Sequence, residues 1–209
     1  MTIGRLITIE GGEGAGKSTV IEAVRALLLE RGREVVPTRE PGGTPVGEAI
    51  RAVLLDPAAS LLPETELLLM FAARAQLVRA TILPALARGA VVVSDRFTDA
   101  SFAYQGGGRG IDSGRIAELE RWVAGIKPDL TLLLDLGVDQ GLARARGRGG
   151  MPDRIEREDA GFFERVRAVY LARAAAEPER WRVIDASRPV VEVVMQVRAA
   201  LDAWLESLP

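Results

Sequence analysis

The chain has 209 residues, of which 48% are hydrophobic and 27% are charged, and its formal net charge is −2. This length suits one α/β domain with a full core, and the charge provides no overall basic field that would indicate nucleic-acid binding. Neither Cys nor His occurs, so disulfides, thiol nucleophiles, Cys-ligated metals and histidine bases are excluded. Chemistry must therefore come from carboxylates, hydroxyls, backbone amides, Arg, Lys and a hard cation.

No stretch of the sequence is typical of a membrane segment or a signal peptide. The longest stretch without a charge, residues 100–108, has nine residues, whereas a membrane span needs about 20 apolar residues. A strand-like run begins next to Arg5, which leaves no room before it for a signal-peptide hydrophobic region. We therefore expect no membrane association and a cytoplasmic location.

Short apolar runs alternate along the chain with helical patterns. The runs predict buried strands at residues 6–9, 35–36, 90–94, 130–134 and 181–184. The patterns predict helices from residue 20 to a stop near Gly32, and over residues 45–55, 67–86, 116–126, 139–146, 162–170 and 190–208. Pro84 is expected to bend or shorten the end of the helix that contains it. The glycines at 106–108 are expected to form a flexible loop.

The five predicted strands lack strict alternation of apolar and polar residues, which suits strands buried on both faces. With the alternating helices they predict an α/β fold of three layers, a five-stranded parallel sheet flanked by helices. No internal repeat or linker divides the chain, so residues 1–209 are expected to form a single domain. The least core-like segment, residues 147–159, is expected to be a mobile lid.

A glycine-rich segment follows the first strand and precedes a helix, in the order that a P-loop requires. Its glycines allow consecutive backbone N–H groups to turn toward phosphate oxygens, and the helix N-terminus adds unpaired amides. Lys17 is expected to reach the β- and γ-phosphates of ATP, and Ser18 to supply a hydroxyl to Mg²⁺. The predicted ATP-binding residues of this loop are Gly11, Gly12, Glu13, Gly14, Ala15, Gly16, Lys17 and Ser18.

A P-loop enzyme also needs an acidic residue at the end of a neighbouring strand to hold Mg²⁺ or its water. Asp95 and Asp135 both follow apolar runs, although such residues are also common as helix caps. Asp95 is preferred because Arg96 follows it at once and would place a cation beside the phosphates. Asp135 is interpreted as a structural residue.

Several further stretches make the sequence resemble the thymidylate kinase family along nearly its whole length. The matching stretches are residues 9–18, 38–44, 69–74, 95–97, 103–108 and 153–156. The resemblance implies a P-loop kinase fold and transfer of the γ-phosphoryl group of ATP to dTMP, giving dTDP for dTTP biosynthesis. It also implies Mg²⁺ as cofactor and a homodimer packed through long helices, for which the helix at residues 67–86 offers an apolar face.

The resemblance assigns roles on the dTMP side of the site. Arg39 would hold the acceptor 5′-phosphate and Arg96 would bridge the donor and acceptor phosphates, contacts that suit a guanidinium group. Phe71 would stack on thymine, although without the resemblance it would be interpreted as a core residue. The other predicted contacts are Arg74 to a base carbonyl, Tyr104 against the sugar 2′ position, Gln105 near the base or sugar, and Ser101.

The chain departs from many relatives just before this last group of residues. Ala100 and Ser101 stand where many relatives have two small hydroxyl residues, and Phe102 replaces a residue that is often polar. Hydrogen bonding from this loop to thymine is therefore expected to be reduced.

Catalytic arginines are expected from the lid. Some family members carry an arginine at the P-loop position of Gly14, whereas this chain resembles the bacterial-type subgroup that places it in the lid. Arg154 and then Arg148 are the candidates, acting as an arginine finger does. By the same resemblance, Arg144 would pack its flat guanidinium against adenine. Glu13 is expected to contact the acceptor sugar 3′-hydroxyl or to organise metal and water.

Three alternative functions remain open from the residues alone. A kinase for another nucleoside monophosphate would share the P-loop and lid but not the set of Phe71, Arg74 and Tyr104. A GTPase switch needs an Asn followed by Lys to read guanine, and the chain contains no Asn. A P-loop ATPase or adaptor without a small-molecule acceptor would have no use for Arg39, Arg96 and the lid arginines.

Overall fold

The structure, a computed structural model, describes residues 3–147, 149 and 151–208. Its centre is a five-stranded sheet in the order β2-β3-β1-β4-β5, and every neighbouring pair is parallel. The strands are β1 (Arg5–Gly11), β2 (Val35–Arg39), β3 (Val91–Asp95), β4 (Leu130–Asp135) and β5 (Trp181–Asp185). All five predicted strands are confirmed, because apolar runs of this length bury both faces of a parallel strand.

Helices cover both faces of the sheet, which confirms the predicted three layers. Their bounds are α1 (Lys17–Glu30), α2 (Pro45–Leu55), α3 (Pro63–Leu77), α4 (Leu83–Ala87), α5 (Thr98–Ser101), α6 (Ser113–Leu119), α7 (Val138–Gly147), α8 (Ala160–Ala176) and α9 (Val190–Glu206). On one face, α1 and α9 pack on Ile7, Ile9 and Leu132. On the other face, α3 and α4 pack on Leu6 and Val92.

Three helices continue into a wider, π-helical turn: Val78–Ile82, Phe102–Gly108 and Glu120–Ala124. The first joins α3 to α4 just before Pro84, a residue without the N–H that an α-helix requires. The expectation of a flexible loop at residues 106–108 was wrong, because these glycines end the second π-helical turn. A Cβ on Gly108 would lie 2.3 Å from the Phe162 ring, so glycine is required there for close packing on α8.

The continuous helix Pro63–Ala87 has 25 residues and is apolar enough, by length and composition alone, to cross a membrane. This helix was predicted at residues 67–86, but the comparison of uncharged stretches with a membrane span did not anticipate that it would reach this length and hydropathy. One such helix is weak support for a membrane protein, because core helices share these properties. Here its Glu66 and Arg74 are buried and form ion pairs with Arg154 and Glu40.

The parallel register places the carboxyl ends of three neighbouring strands at one edge of the sheet. Asp95 at the end of β3 lies opposite Ile9 of β1 and Arg39 of β2. The segment that follows β1 therefore begins beside Asp95. In parallel α/β sheets, ligands bind at this edge.

Candidate active site

The glycine-rich segment links the end of β1, at Gly11, to the start of α1, at Lys17. Gly16 caps the helix with a left-handed backbone, φ 91°, and the first amides of α1 have no helical partner. Lys17 Nζ donates to the backbone oxygens of Gly11 and Gly12, at 3.2 and 3.0 Å. Burial, and then the charge of Arg96, lower the pKa of Lys17. The segment thus has the form of an anion-binding loop with a cation inside it.

Gly14 lies against helix α7. Its φ is 70°, and a Cβ at this position would lie 2.1 Å from the backbone oxygen of Gly141 and 3.1 Å from Arg144 Cβ. No side chain fits there while α7 occupies this position. An arginine at this position of the loop is therefore excluded by packing.

The turn after β3 holds Arg96 in a conformation that is uncommon for a residue with a side chain. Its φ is 68°, in the left-handed region. Arg96 N donates to Ile9 O at 3.1 Å, and Ser94 Oγ donates to Arg96 O at 2.6 Å. The guanidinium donates to Gly11 O at 3.0 Å and forms an ion pair with Glu13 at 2.9 Å. The strained turn thus directs Arg96 onto the phosphate loop.

Asp95 and Asp135, the two acidic residues considered for metal binding, lie in different surroundings. Asp95 lines the main cavity, and its buried Oδ1 has no hydrogen-bond partner among the described residues. Asp135 receives two bonds from Arg167, at 2.7 and 2.9 Å. Ser18 lines the cavity with Asp95. The free acceptor of Asp95 therefore fits a bound cation better than the paired Asp135 does.

Glu13 and Tyr104 form the floor beneath Arg96. Tyr104 Oη donates to Glu13 Oε1 at 3.1 Å, and Arg96 Cζ lies 4.6 Å from the centre of the Tyr104 ring. The ring is held edge-to-face by Phe162 and Tyr170, with ring centres 6.1 and 6.4 Å away. Glu13 therefore neutralises part of the charge of Arg96.

Glu10 is a buried carboxyl that the sequence did not reveal. It accepts from Tyr170 Oη at 2.6 Å and from the amide of Phe97 at 2.7 Å. Tyr170 Oη also lies 3.3 Å from Arg96 Nη1. Burial, and then the charge of Asp99, raise the pKa of Glu10 to about 8. Glu10 thus fixes both the residue after Arg96 and the hydroxyl beside its guanidinium.

Arg74 occupies the far side of the cavity, 2% exposed. Glu40 Oε2 accepts from its Nε and Nη2 at 2.8 and 2.7 Å, and Ser101 Oγ accepts from its Nη1 at 3.1 Å. The guanidinium stacks 4.4 Å above the Phe71 ring. Arg74 Nη2 also donates to Phe97 O at 3.2 Å, so these contacts hold Arg74 in one orientation on the cavity wall and leave an N–H of Nη1 for a ligand.

Two residues predicted to contact dTMP are absent from the cavity wall. Phe71 is 2% exposed and packs with Leu67 and Phe102 beneath Arg74. Arg39 forms an exposed ion pair with Glu48, at 2.8 Å. Their contacts with a nucleotide stay predictions. Phe102 also faces away, with Arg173 Cζ 3.8 Å from its ring centre, whereas Ala100 lines the cavity.

The described part of the predicted lid is anchored to the body of the protein. Arg154 does not line the cavity: its Nε donates to Leu54 O at 2.8 Å, and its Nη2 lies 2.7 Å from Glu66. Ile155 is buried, and Asp153 Oδ1 accepts from the amides of Ile155 and Glu156. Arg148 lies outside the described residues. Motion of this segment, and a catalytic role for either arginine, stay predictions.

Arg144 lines the cavity at its other end, beside Gly14. It donates to the backbone oxygens of Ala186 and Ser187, at 2.9 and 3.4 Å. These bonds hold the guanidinium by its edge. The contact of Arg144 with adenine stays a prediction.

The main cavity has a volume of about 490 Å³ and joins the phosphate loop to Arg74 in one continuous space. Predicted site residues that line it are Glu13, Gly14, Ala15, Gly16, Lys17, Ser18, Arg74, Asp95, Arg96, Ser101, Tyr104, Gln105 and Arg144. Sequence reasoning missed four ionisable wall residues: Glu40, Arg51, Asp153 and Glu156. Burial, and then the charge of Arg39, lower the pKa of Arg51. Nothing in the periodicity of α2 distinguishes Arg51 from a solvated arginine.

The parallel sheet, the phosphate loop at its carboxyl edge and the arginine-lined cavity define a P-loop nucleotide-binding phosphotransferase. The protein-family profile described as thymidylate kinase matches residues 9–197. The chain is 57% identical over 206 residues to a thymidylate kinase of Methylococcus capsulatus, covering 98% of each chain. It is 60% identical over 210 residues to one from Chromohalobacter salexigens, covering 99% of each.

A solved structure, the thymidylate kinase from Ehrlichia chaffeensis, superposes with a TM-score of 0.77. The two sequences are 32% identical, and the match covers 96% of this chain and 99% of the other. The chain belongs to the thymidylate kinase family.

Proposed function

We propose that this enzyme transfers the γ-phosphoryl group of ATP to dTMP. An oxygen of the dTMP 5′-phosphate attacks the γ-phosphorus, the bond to the β,γ-bridging oxygen breaks, and ADP and dTDP leave. The observation that carries the proposal is the single cavity that contains both the phosphate loop and the Arg74 wall. Donor and acceptor phosphates then meet between Lys17 and Arg96. Membership of the thymidylate kinase family supports thymidylate as the acceptor.

The chain's own residues account for positioning and charge neutralisation, which are the main requirements of phosphoryl transfer. The loop amides and Lys17 bind the donor phosphates. Arg96 is held by Glu13 and the Gly11 oxygen, so its remaining donors are oriented before the substrates arrive. The Tyr104 ring lies beneath Arg96, where it would border the 2′ position of the acceptor sugar.

We propose Mg²⁺ as the cofactor, held by Ser18 and Asp95 together with the nucleotide phosphates. The unpartnered Asp95 Oδ1 fits this role. Among the described residues no group of three or more acidic side chains could hold a metal by itself. Mg²⁺ commonly takes one or two protein ligands and completes its shell with phosphates and water. When bound, it would neutralise phosphate charge.

We further propose a homodimer formed through the helix Pro63–Ala87, in the cytoplasm, where ATP is available. Leu68 on this helix is 58% exposed, and Trp122, on the neighbouring π-helical turn Glu120–Ala124, is 79% exposed. Large apolar side chains exposed on adjacent elements are typical of an interface. Leu68→Glu should convert the dimer to a monomer in light scattering, whereas Leu29→Glu, an exposed position on α1, should not. A wild-type monomer would contradict the dimer.

The deciding experiment for the reaction is a coupled assay of ADP release with ATP and Mg²⁺. Each deoxy- and ribonucleoside monophosphate is supplied in turn, and dTDP is identified by chromatography. dTMP should give the highest kcat/KM. Turnover with dTMP far below that with UMP, AMP or GMP would refute the proposal. ADP release without any acceptor would favour a P-loop ATPase.

A further inference from the structure

Glu66, in the first turn of α3, is a fully buried carboxylate that touches three side chains from two other segments. Its Oε1 accepts from Gln105 Nε2 at 2.8 Å. Its Oε2 accepts from Arg109 Nε at 3.1 Å and lies 2.7 Å from Arg154 Nη2. Its side chain is 0% exposed. Glu66 therefore lies between Gln105 of the cavity wall and Arg154 of the predicted lid.

The surroundings keep Glu66 ionised. Burial alone would raise its pKa, but the contacts with Gln105, Arg109 and Arg154 lower it overall. An ionised carboxylate has no proton to donate, so it can only accept hydrogen bonds. Whatever faces Glu66 must present an N–H or O–H group.

This requirement determines the orientation of the Gln105 amide. A glutamine amide carries Oε1 and Nε2, and its two flipped orientations are equivalent unless neighbouring groups favour one of them. If Gln105 Oε1 faced Glu66, two acceptors would meet at 2.8 Å in a buried site, at a cost of roughly 1–3 kcal/mol or more. Gln105 Nε2 therefore faces Glu66, and Oε1 is left to accept from another group. Gln105 lines the cavity and is 1% exposed.

We propose that Glu66 is a positioning residue for base selection: it holds Gln105 so that Oε1 accepts a hydrogen bond from a ring N–H of the acceptor base. This inference rests on the proposed function and names the residue that enforces its substrate class. Arg74, on the same wall, has only donors. An acceptor beside a donor complements the imide edge of thymine, which offers N3–H and O4.

Gln105 Oε1 and Arg74 together would disfavour binding of cytosine. Cytosine presents an unprotonated N3 and an amino group, so Gln105 Oε1 would face an acceptor and Arg74 would face a donor. Sites built to hydrogen-bond a particular group discriminate strongly against an analogue that leaves buried groups unpaired. Selection between dTMP and dCMP thus depends on Glu66, although Glu66 itself does not touch the base.

The test compares wild type, Glu66→Gln, Gln105→Leu and the double variant. For each protein, kcat/KM is measured with dTMP and dCMP, and dCMP is also assayed as a competitive inhibitor. In Glu66→Gln the new amide can face Gln105 with either arm, so the dTMP preference should fall about tenfold or more. The double variant should lose no more selectivity than Gln105→Leu does.

Arg109→Gln is the matched control, because it removes another partner of Glu66 and leaves the bond to Gln105. Its selectivity ratio should remain that of wild type even if its stability falls. An unchanged ratio in a folded Glu66→Gln protein overturns the inference. If that variant does not fold, an unchanged ratio in Gln105→Leu overturns it, because the amide then does not read the base. Absence of dTMP turnover in wild type would instead refute the proposed function.

Discussion

The guanidinium of Arg96 and the carboxylate of Glu13 form an ion pair of 2.9 Å above the ring of Tyr104. Both side chains are 15% exposed, so solvent screens the pair only partly. The pair joins the turn after β3 to the interior of the phosphate loop. Arg96 is thus oriented before any phosphate binds.

Arg96→Ala should lower kcat by about 10²–10³-fold, because a preorganised cation at the transferring phosphate is lost. Arg96→Lys should recover little, since a lysine cannot contact the Gly11 oxygen and Glu13 together through one planar group. Steady-state kinetics with dTMP and ATP measure both variants. A kcat within about twofold of wild type in Arg96→Ala would remove Arg96 from the transfer step.

Lys17→Ala should reduce kcat at least about a hundredfold while the fold stays intact, because Lys17 is the cation inside the phosphate loop. The chain supplies a matched control in its second lysine, Lys127, whose side chain is 58% exposed in an ion pair with Glu177. Lys127→Ala should retain wild-type kinetics. Near-normal activity in Lys17→Ala, with a wild-type circular dichroism spectrum, would contradict its phosphate role.

Arg154→Ala should lower kcat about tenfold or more and change KM for dTMP little, if the lid brings this residue to the phosphates. Arg157→Ala is the control, because Arg157 lies on the same segment and donates to the backbone oxygens of Pro152 and Pro57. An unchanged kcat in Arg154→Ala would leave Arg154 as an anchor of the lid on Glu66. The catalytic arginine would then be sought at Arg148.

Tyr104→Phe should leave the preference for deoxyribonucleotides within about twofold of wild type, because the ring and not the hydroxyl would crowd the 2′ position. The lost hydroxyl donates to Glu13, so a moderate fall in kcat is expected. The ratio of kcat/KM for dTMP to that for the corresponding ribonucleotide measures the effect. Lost discrimination in this variant would implicate the hydroxyl itself.

Glu10 should make the folded state less stable as pH rises. Its pKa is about 8 in the folded protein against an ordinary value of 4.5, so the unfolded chain releases this proton first. Stability then decreases between about pH 4.5 and 8 and levels off above, by on the order of a few kcal/mol. Below pH 4.5 both states hold the proton and the effect disappears.

Urea unfolding of wild type and Glu10→Gln between pH 5 and 8.5 measures this slope. The variant should unfold with a midpoint that depends less on pH. Glu22→Gln, an exposed position on α1, controls for the loss of one charge. Parallel pH profiles for wild type and Glu10→Gln would show that Glu10 is ionised in the folded protein at neutral pH.

The sheet and the phosphate loop could be predicted from the sequence because their signals are local. The apolar run of β3 predicts a strand regardless of its tertiary surroundings, and residues 11–18 have the residue spacing of a P-loop. The three π-helical turns have no such signal, since they differ from α-helix by one residue in a turn. Gly108 was misinterpreted because a glycine needed for close packing on Phe162 has the same sequence pattern as a flexible one.

The cavity wall was predicted only in part, because its remaining residues are brought together by tertiary packing. Glu40 in the wall and Glu66 behind it come from two different segments, and each forms an ion pair with an arginine distant in sequence, Arg74 and Arg154. Nothing near either carboxylate in sequence indicates burial. The reverse holds for Phe71, whose motif predicts a base contact while the structure buries it beneath Arg74.

The close approach of Gly14 to Gly141 leaves no room for an arginine in the phosphate loop at position 14. An arginine at position 14 would need the space that the backbone of α7 occupies, so such a chain must carry this helix farther from the loop. Moving α7 would also displace Arg144, which lies on the same helix about one turn after Gly141. An arginine in the loop therefore requires a change in two elements at once, and a single substitution at position 14 should disable the enzyme.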